Sequence, residues 1–189
     1  MNIKNYQNLI YEVQDFLDNI QYKSLLSFVE ENLKQNFNFK EERTEGYISI
    51  SKHDKGDFKA FDWNQDLIDS IEESIKSIFL NQIIPDNLKI DSLKSINDIL
   101  IYPKNYFKGS HADNGSDENI KFGCVYYIND DYEGGEIIYP DINISIKPKA
   151  NTLIIHQSNL IHYTNPIEND SIKKIITTFL LGEDKKNGS

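Results

Sequence analysis

The residues best suited to chemistry in this sequence are its four histidines and one short His-x-Asp motif. His111 and Asp113 lie two apart in GSHADNG, and on an extended strand that spacing points both side chains to the same face. With a third ligand from His156 or His162 they would form a facial triad, which suits iron(II) and leaves coordination positions open. Taken alone, the tripeptide also fits an ordinary turn, so its role depends on the surrounding sequence. We assign no role to His53, which we expect in a solvated loop.

Two parts of the chain with different patterns must position these residues. Apolar side chains recur at helical spacing around residues 9–17, 25–33 and 66–80, and residues 47–51 alternate as a strand does. From about residue 90 onward, short β-rich runs alternate with turn residues, which favours a sandwich or barrel. These runs cover residues 98–102, 122–128, 136–139, 142–146, 152–156 and 172–181.

The length of 189 residues suits a single domain with one core. Within it we expect residues 1–90 to be mainly helical support, residues 91–182 to form the β-rich core, and residues 183–189 to be a frayed tail. The fold class predicted from these patterns is therefore α+β, with helices packed outside a β-sandwich.

Charge and cysteine content narrow the classes of function. Acidic residues outnumber basic ones 30 to 20, giving a net charge of −10 without a basic stripe, so we expect no nucleic-acid partner. Cys124 is the only cysteine, which excludes an internal disulfide. The sequence shows neither a signal-peptide pattern nor an apolar run of about 18 residues, so we expect no membrane partner and a cytoplasmic location.

Four segments, in order, resemble the catalytic core of the prolyl 4-hydroxylase-like iron(II)- and 2-oxoglutarate-dependent oxygenases. ILIYPKNYFKGSHAD is similar to the strand and turn that lead to the family's His-x-Asp, and FGCVYYIND to its following tyrosine strand. DYEGGEIIYP resembles its Gly-Gly-Glu strand, and LIIHQSNLIHYTNPI resembles the segment with the distal histidine. The resemblance covers residues 99–181 and implies a double-stranded β-helix (jelly roll) core with supporting N-terminal helices.

The resemblance implies that His111, Asp113 and His162 hold the iron and serve in catalysis. His162 has Pro166 four residues later, at the family's spacing, whereas His156 lies in an apolar run where the family tends to have an aromatic residue. We therefore prefer His162 as the third ligand and expect His156 to be a hydrogen-bonded core residue. The carboxylate at Asp113 also favours hydroxylation, because halogenating relatives have a small residue there.

The resemblance further implies a basic anchor for the distal carboxylate of 2-oxoglutarate, which would be costly to bury unpaired. The family uses an arginine or lysine on its last core strand, and Arg43, the only arginine here, is far away in the sequence. Lys173 and Lys174 are the candidates, and since they are adjacent only one can face inward. We prefer Lys173, because Phe179 follows it at the family's spacing and Thr177 shares its face.

Tyr127 and Tyr102 are the remaining site residues that the resemblance implies, both in contact with 2-oxoglutarate. It also implies iron(II), 2-oxoglutarate and dioxygen as cofactors, with ascorbate as a supporting reductant, and the release of succinate and CO2. The expected partner is a peptide or protein containing proline. A free amino acid or other small molecule stays open as substrate, as does a different class of protein, a non-catalytic metal-binding β-sandwich.

Overall fold

A computed structural model describes residues 1–36, 48–51, 63–83, 88–115 and 117–184 of the chain. His53, Arg43 and residues 185–189 of the expected frayed tail lie outside these ranges. The expectation of a frayed tail is wrong for residues 183 and 184, which end a strand and pair with Lys89 and Leu88. The α-helices are α1 (Asn19–Asn36) and α2 (Gln65–Ile78), and a short π-helix, Phe79–Ile83, continues α2. The strands are β1 (Asn2–Tyr6), β2 (Ile10–Gln14), β3 (Ile48–Ser51), β4 (Leu88–Leu93), β5 (Asp98–Tyr102), β6 (Ile120–Tyr127), β7 (Ile137–Tyr139), β8 (Ile144–Ile146), β9 (Thr152–Gln157), β10 (Tyr163–Thr164) and β11 (Lys173–Asp184).

The strands form two antiparallel sheets. In the major sheet the order is β1-β2-β9-β6-β11-β5-β3, and β4 pairs with the last residues of β11. The minor sheet has the order β10-β7-β8. Buried side chains join the sheets face to face, with Tyr127, Ile154 and Ile175 from the major sheet packed against Ile137 and Tyr139 from the minor one. The predicted α+β class with a jelly-roll core is confirmed.

The opposite face of the major sheet packs against the helices. The side chain of Asp18 accepts hydrogen bonds from the backbone N–H groups of Ile20 and Gln21, at 2.8 and 2.9 Å, and so caps the start of α1. Asn64 caps α2 in the same way, accepting from the N–H of Leu67 at 3.1 Å. The face that α2 buries consists of Leu67, Ile68, Ile71, Ile75 and Ile78. The helices predicted around residues 25–33 and 66–80 are thus confirmed, with different ends.

The helix expected around residues 9–17 is wrong, because this segment forms strand β2 of a hairpin. Gln7 and Asn8 both have φ of 58°, and this left-handed pair reverses the chain between β1 and β2. Strand β2 then pairs along β9, with Ile10 opposite His156. Since both faces of β2 are buried, Ile10 and Val13 are equally enclosed and the period-two pattern of a strand is hidden. Because both faces of β2 carry apolar residues, their spacing in the sequence resembled that of an amphipathic helix.

The β-rich runs predicted after residue 90 correspond to β5, β6, β7, β8, β9 and β11, with ends shifted by a few residues. Strand β3 lies inside the predicted run 47–51. Strands β4 and β10 were not predicted from the sequence. None of the helices in the described ranges combines the length and apolar character that a bilayer span requires.

Candidate metal and co-substrate site

His111, Asp113 and His162 meet in space, as the sequence led us to expect. One ligand atom from each lies within 4.8 Å of the others. Asp113 Oδ1 is 3.5 Å from Nε2 of His111 and 3.8 Å from Nε2 of His162. Two imidazoles and one carboxylate are the donor set of facial iron(II) sites, so the side chains present fit that metal. Their role as ligands stays a prediction.

The route by which these residues meet differs from the expected one. His111 and Asp113 do not share an extended strand: His111 forms an isolated antiparallel bridge with His162, and Asp113 opens a 3-10 turn, Asp113–Gly115. Paired backbone hydrogen bonds of 3.0 and 2.9 Å hold the two histidines side by side. The N–H of Asp113 donates to the carbonyl of Ser158 at 2.9 Å. The segment around His162 therefore positions all three side chains.

Both histidines of the triad are oriented for ligation through Nε2. Nδ1 of His111 lies 2.8 Å from the carbonyl oxygen of Gly109, and Nδ1 of His162 lies 3.0 Å from that of Leu160. A carbonyl can only accept, so Nδ1 carries the proton and the lone pair of Nε2 faces the carboxylate of Asp113. Each ring is thus held in the tautomer that a metal requires.

The charge states also suit a metal site. Burial and the neighbouring ring of His156 lower the pKa of His162 to about 4, so its imidazole is neutral at neutral pH. Burial alone would raise the pKa of Asp113. The hydrogen bond from His156 and the nearby His162 and His111 outweigh it and hold that pKa below its ordinary value. Asp113 thus offers a carboxylate and His162 a neutral imidazole, and neither needs to lose a proton at pH 7 to bind a metal.

His156 lies behind the triad and was placed correctly in the core by the sequence, but its contacts were not foreseen. Its side chain is fully buried, Nε2 is 2.8 Å from Asp113 Oδ2, and Nδ1 is 2.7 Å from the hydroxyl of Tyr139. Gly123 on β6 makes room for this pair, because a Cβ there would lie 1.9 Å from Asp113 Oδ2 and 2.4 Å from His156 Nε2. A glycine inside a predicted strand was the available signal for such a close approach.

The triad opens into a cavity of about 560 Å³ between the two sheets. Four residues that the sequence analysis associated with 2-oxoglutarate also line it: Tyr102, Tyr127, Lys173 and Thr177. They come from three adjacent strands, since Lys173 lies opposite Tyr102 on β5 and Thr177 lies opposite Val125 on β6. The structure therefore gathers every predicted site residue into one cavity.

Lys173 is the most deeply buried charged side chain of this cavity, with 1% of its surface exposed. Its ammonium donates to the carbonyl oxygen of Gly135 at 2.9 Å. Three tyrosine rings surround it, those of Tyr127, Tyr102 and Tyr132, with centroids 5.0, 5.6 and 5.8 Å from Nζ. Within the described ranges Lys173 forms no salt bridge, and its direct contacts are a backbone carbonyl and tyrosine rings.

The electrostatics of Lys173 fit an anionic ligand. Burial, the larger cause, and the nearby Lys147 together lower its pKa to about 7, and Glu136 opposes the shift. Among the described residues, the buried hydroxyls of Tyr132 and Thr152 in the surrounding core have no hydrogen-bond partner. A carboxylate placed at Lys173 would restore the favourable charged state of the lysine. Hence the residues present fit the distal end of 2-oxoglutarate.

Lys174, the alternative anchor, has a different environment. It is half-buried, and its backbone N–H donates to Asn129 Oδ1 at 2.8 Å. Alternation along β11 directs it away from the cavity, on the same side as Ile176, which belongs to the helix-packed core. The preference for Lys173 is consistent with these positions, and its role stays a prediction.

The family comparison agrees with this arrangement. The sequence model of the 2OG-Fe(II) oxygenase superfamily matches residues 98–181, which include the triad and Lys173. That superfamily uses iron(II), 2-oxoglutarate and dioxygen. No curated protein matches the chain by sequence.

Solved structures with this fold include three prolyl hydroxylases. One from Trichoplax adhaerens, in complex with a hypoxia inducible factor peptide fragment, has a TM-score of 0.68 at 15% identity and covers 92% of this chain and 84% of that one. The viral collagen prolyl hydroxylase of Paramecium Bursaria Chlorella virus-1 has a TM-score of 0.61 at 17% identity, and the match covers 93% of this chain and 97% of that one. A prolyl-4-hydroxylase of Pseudomonas putida has a TM-score of 0.62 at 15% identity, and the match covers 92% of each chain.

The similarities to solved structures show a shared fold. The sequence match over residues 98–181 indicates iron(II)- and 2-oxoglutarate-dependent oxygenation. The resemblance noted in the sequence is confirmed. Residues 98–181 match the sequence model of the 2OG-Fe(II) oxygenase superfamily, and the protein is an iron(II)- and 2-oxoglutarate-dependent dioxygenase.

Proposed function

We propose that this protein hydroxylates a prolyl residue in a peptide or protein, as prolyl 4-hydroxylases do. One oxygen atom of O2 is inserted into a substrate C–H bond and the other enters succinate, while 2-oxoglutarate loses CO2. The observation that carries the proposal is the shared cavity, in which a buried ammonium without an ion-pair partner among the described residues accompanies an iron(II) donor set. Support for a peptide substrate comes from the fold, which is also that of a prolyl hydroxylase solved with a peptide.

Each site residue has a distinct task in this proposal. Nε2 of His111, Nε2 of His162 and Oδ1 of Asp113 would hold the iron, which supplies the activation of dioxygen when bound. Their proton positions are already suitable, because each Nδ1 donates to a backbone carbonyl. The carboxylate needs no further proton transfer, since its pKa is below the ordinary value.

The co-substrate residues act through orientation. Lys173 would form a charge-assisted hydrogen bond with the distal carboxylate of 2-oxoglutarate. Tyr127, Tyr102 and Thr177 line the same cavity and would add hydroxyl donors. Ile137 and Ile175 also line the cavity and add apolar surface beside these groups.

A free amino acid is a second candidate substrate. The same cavity is also lined by Lys94, Asp98 and Lys108, which are charged groups of both signs. Such groups suit a zwitterion, which needs one partner for its ammonium and another for its carboxylate. A peptidyl proline would present neither terminus to these side chains.

Succinate formation tests the proposal and separates the two substrates. The protein would be incubated with iron(II), ascorbate, oxygen and 2-oxoglutarate, together with proline-rich peptides or with free amino acids. Succinate that rises only with peptide, accompanied by a gain of one oxygen mass in the peptide, supports prolyl hydroxylation. Stimulation by a free amino acid alone would replace it with the second candidate. His162→Ala protein is the matched control, because it should give no succinate with either.

Two broader expectations also remain proposals. We propose a single catalytic domain over residues 1–189, supported by the two buried clusters that share the major sheet. We also propose a cytoplasmic location, supported by Cys124, the only cysteine, which is buried as a thiol. Ascorbate in the assay serves as a reductant, and its omission shows whether turnover depends on it.

A further inference from the structure

The carboxylate of Asp113 has two oxygens in different environments. Oδ1 faces the two triad histidines, at 3.5 and 3.8 Å from their Nε2 atoms. Oδ2 points the other way, to Nε2 of His156 at 2.8 Å. The distances differ in kind, since the shorter one is a hydrogen bond and the longer ones leave room for an ion. One oxygen is therefore already engaged by the protein, and the other is not.

The hydrogen-bond pattern fixes which atoms of His156 carry protons. A carboxylate only accepts, so Nε2 of His156 must be the donor to Oδ2. In the neutral ring Nδ1 then has a lone pair, and the hydroxyl of Tyr139, 2.7 Å away, donates to it. Both His156 and Tyr139 are fully buried, so water does not compete for these bonds. The result is a directed chain from Tyr139 through His156 to Asp113.

We propose that His156 is a positioning residue that fixes the carboxylate of Asp113 for one-oxygen metal binding, and that Tyr139 sets the tautomer of His156 for this task. The inference rests on the proposed metal role of the triad and deepens it. Holding Oδ2 keeps the carboxylate from rotating and binding an ion through both oxygens. Coordination positions needed by the co-substrate then remain open.

Gly123 supports this assignment independently. It lies opposite His156 in the β6–β9 pairing, and any side chain at this position would occupy the space of the hydrogen bond. The strand therefore omits a side chain at the one place where the pair needs its room. A histidine that only filled the core would not need such a gap in the neighbouring strand.

Metal binding without turnover tests the proposal. Cobalt(II), as a spectroscopic substitute for iron(II), would be titrated into wild type, His156→Leu, His156→Gln and Tyr139→Phe. Loss of a partner of a metal ligand costs about 10- to 100-fold in metal affinity, so His156→Leu should bind cobalt that much more weakly. His156→Gln should stay within a few-fold of wild type, because its amide retains an N–H donor near the position of Nε2. Tyr139→Phe should fall between them.

Two further readouts distinguish a positioning role of His156 from a purely structural one. The visible absorption of bound cobalt should change in His156→Leu and be restored in His156→Gln, whereas thermal unfolding without metal reports stability alone. Equal affinity and an equal spectrum in wild type and His156→Leu would overturn the proposal. Complete loss of binding in His156→Gln would also overturn it, by making His156 a ligand. If His156→Leu does not fold, Tyr139→Phe decides in the same way, with unchanged affinity as the contrary result.

The experiment also distinguishes a failure of this inference from a failure of the proposed metal role of the triad. If wild-type protein binds no cobalt, the proposed triad itself fails, whatever the variants do. If wild type binds and His162→Ala does not, the triad holds and the variants of His156 and Tyr139 decide the inference.

Discussion

The two faces of the major sheet are made by the same strands and carry opposite kinds of side chain. Along β11, Ile176 and Leu180 pack toward the helices, where the buried cluster is almost entirely aliphatic and aromatic. Alternate residues of the same strand, Lys173 and Thr177, line the cavity. On the neighbouring strand Tyr126 faces the helices and Tyr127 the site. A shift of one residue along the chain thus changes the environment completely.

The two faces of the major sheet contribute differently to stability and to function. Burying Lys173 and His156 on the site face costs free energy, because ionisable and polar groups lose water there. The helix-packed face carries less of this cost, because it buries mainly large apolar side chains, including Ile71, Ile75 and Phe79. Packing against the helices therefore stabilises a sheet whose other face carries the site residues. Substitutions on the helix-packed face should lower stability, whereas substitutions on the site face should lower ligand binding or activity.

The largest effect is expected from the triad. His162→Ala should abolish metal-dependent succinate formation, because one of two imidazole ligands is lost. Its free energy of unfolding without metal should change much less than in a core variant. Succinate assay and chemical denaturation of the metal-free protein would measure the two effects. Iron binding at wild-type strength would show that His162 is not a ligand.

The opposite pattern is expected on the other face. Ile176→Ala should lower the free energy of unfolding by about 2–5 kcal/mol, the usual cost of a buried isoleucine cavity. Under conditions where it stays folded, its dissociation constant for 2-oxoglutarate should match that of wild type. Urea unfolding and an anaerobic titration of the iron-loaded protein would test both. Weakened binding in this variant would mean that the two faces are coupled.

The co-substrate anchor gives the next effect. Lys173→Ala should raise the dissociation constant for 2-oxoglutarate about 10- to 150-fold, since a charge-assisted hydrogen bond contributes roughly 1.5–3 kcal/mol. Lys174→Ala is the matched control on the other side of β11 and should show little change. Iron affinity should be kept in both. Equal weakening in the two variants would indicate a general effect of charge.

The depressed pKa of Lys173 predicts a pH dependence of binding. Below its pKa of about 7 the ammonium is charged before 2-oxoglutarate arrives, so affinity is highest there. Because the bound carboxylate raises that pKa again, affinity should fall by about tenfold per pH unit above it. Lys147, Glu136 and the surrounding tyrosines are the other titratable groups near the ammonium. Lys173→Arg should flatten the profile, since a guanidinium stays charged, and an unchanged slope would contradict the assignment.

The smallest effect compares adjacent tyrosines. Tyr126→Phe should cost about 0.5–1.5 kcal/mol of unfolding free energy, because the hydroxyl loses its 2.9 Å hydrogen bond to Asn151. Tyr127→Phe should instead weaken 2-oxoglutarate binding. Thermal unfolding and co-substrate titration of both variants would show whether one loses stability and the other loses 2-oxoglutarate binding. Identical behaviour of the pair would remove the distinction between the faces at this position.

Much of the site was predictable because it depends on local rules. Alternation along one strand predicts that Lys173 and Lys174 face opposite sides, and the spacing to Phe179 favoured Lys173. The order of motifs singled out His111, Asp113 and His162, which the structure brings together. The contact between Asp113 and His156 was beyond such rules, because it joins residues 43 apart and needs the missing side chain of Gly123 between strands. The N-terminal hairpin was missed for a related reason, since burial on both faces of β2 comes only from tertiary packing.

The position of β11 has a consequence for how the protein assembles during synthesis. This strand pairs with β6 on one side and with β5 and β4 on the other, so it joins two groups of strands that do not otherwise pair in the described sheet. Until residues 173–184 leave the ribosome, β6 and β5 each have an unpaired edge. Nascent chains shorter than this therefore expose the strands that later enclose the site, and they are the species most prone to association through those edges.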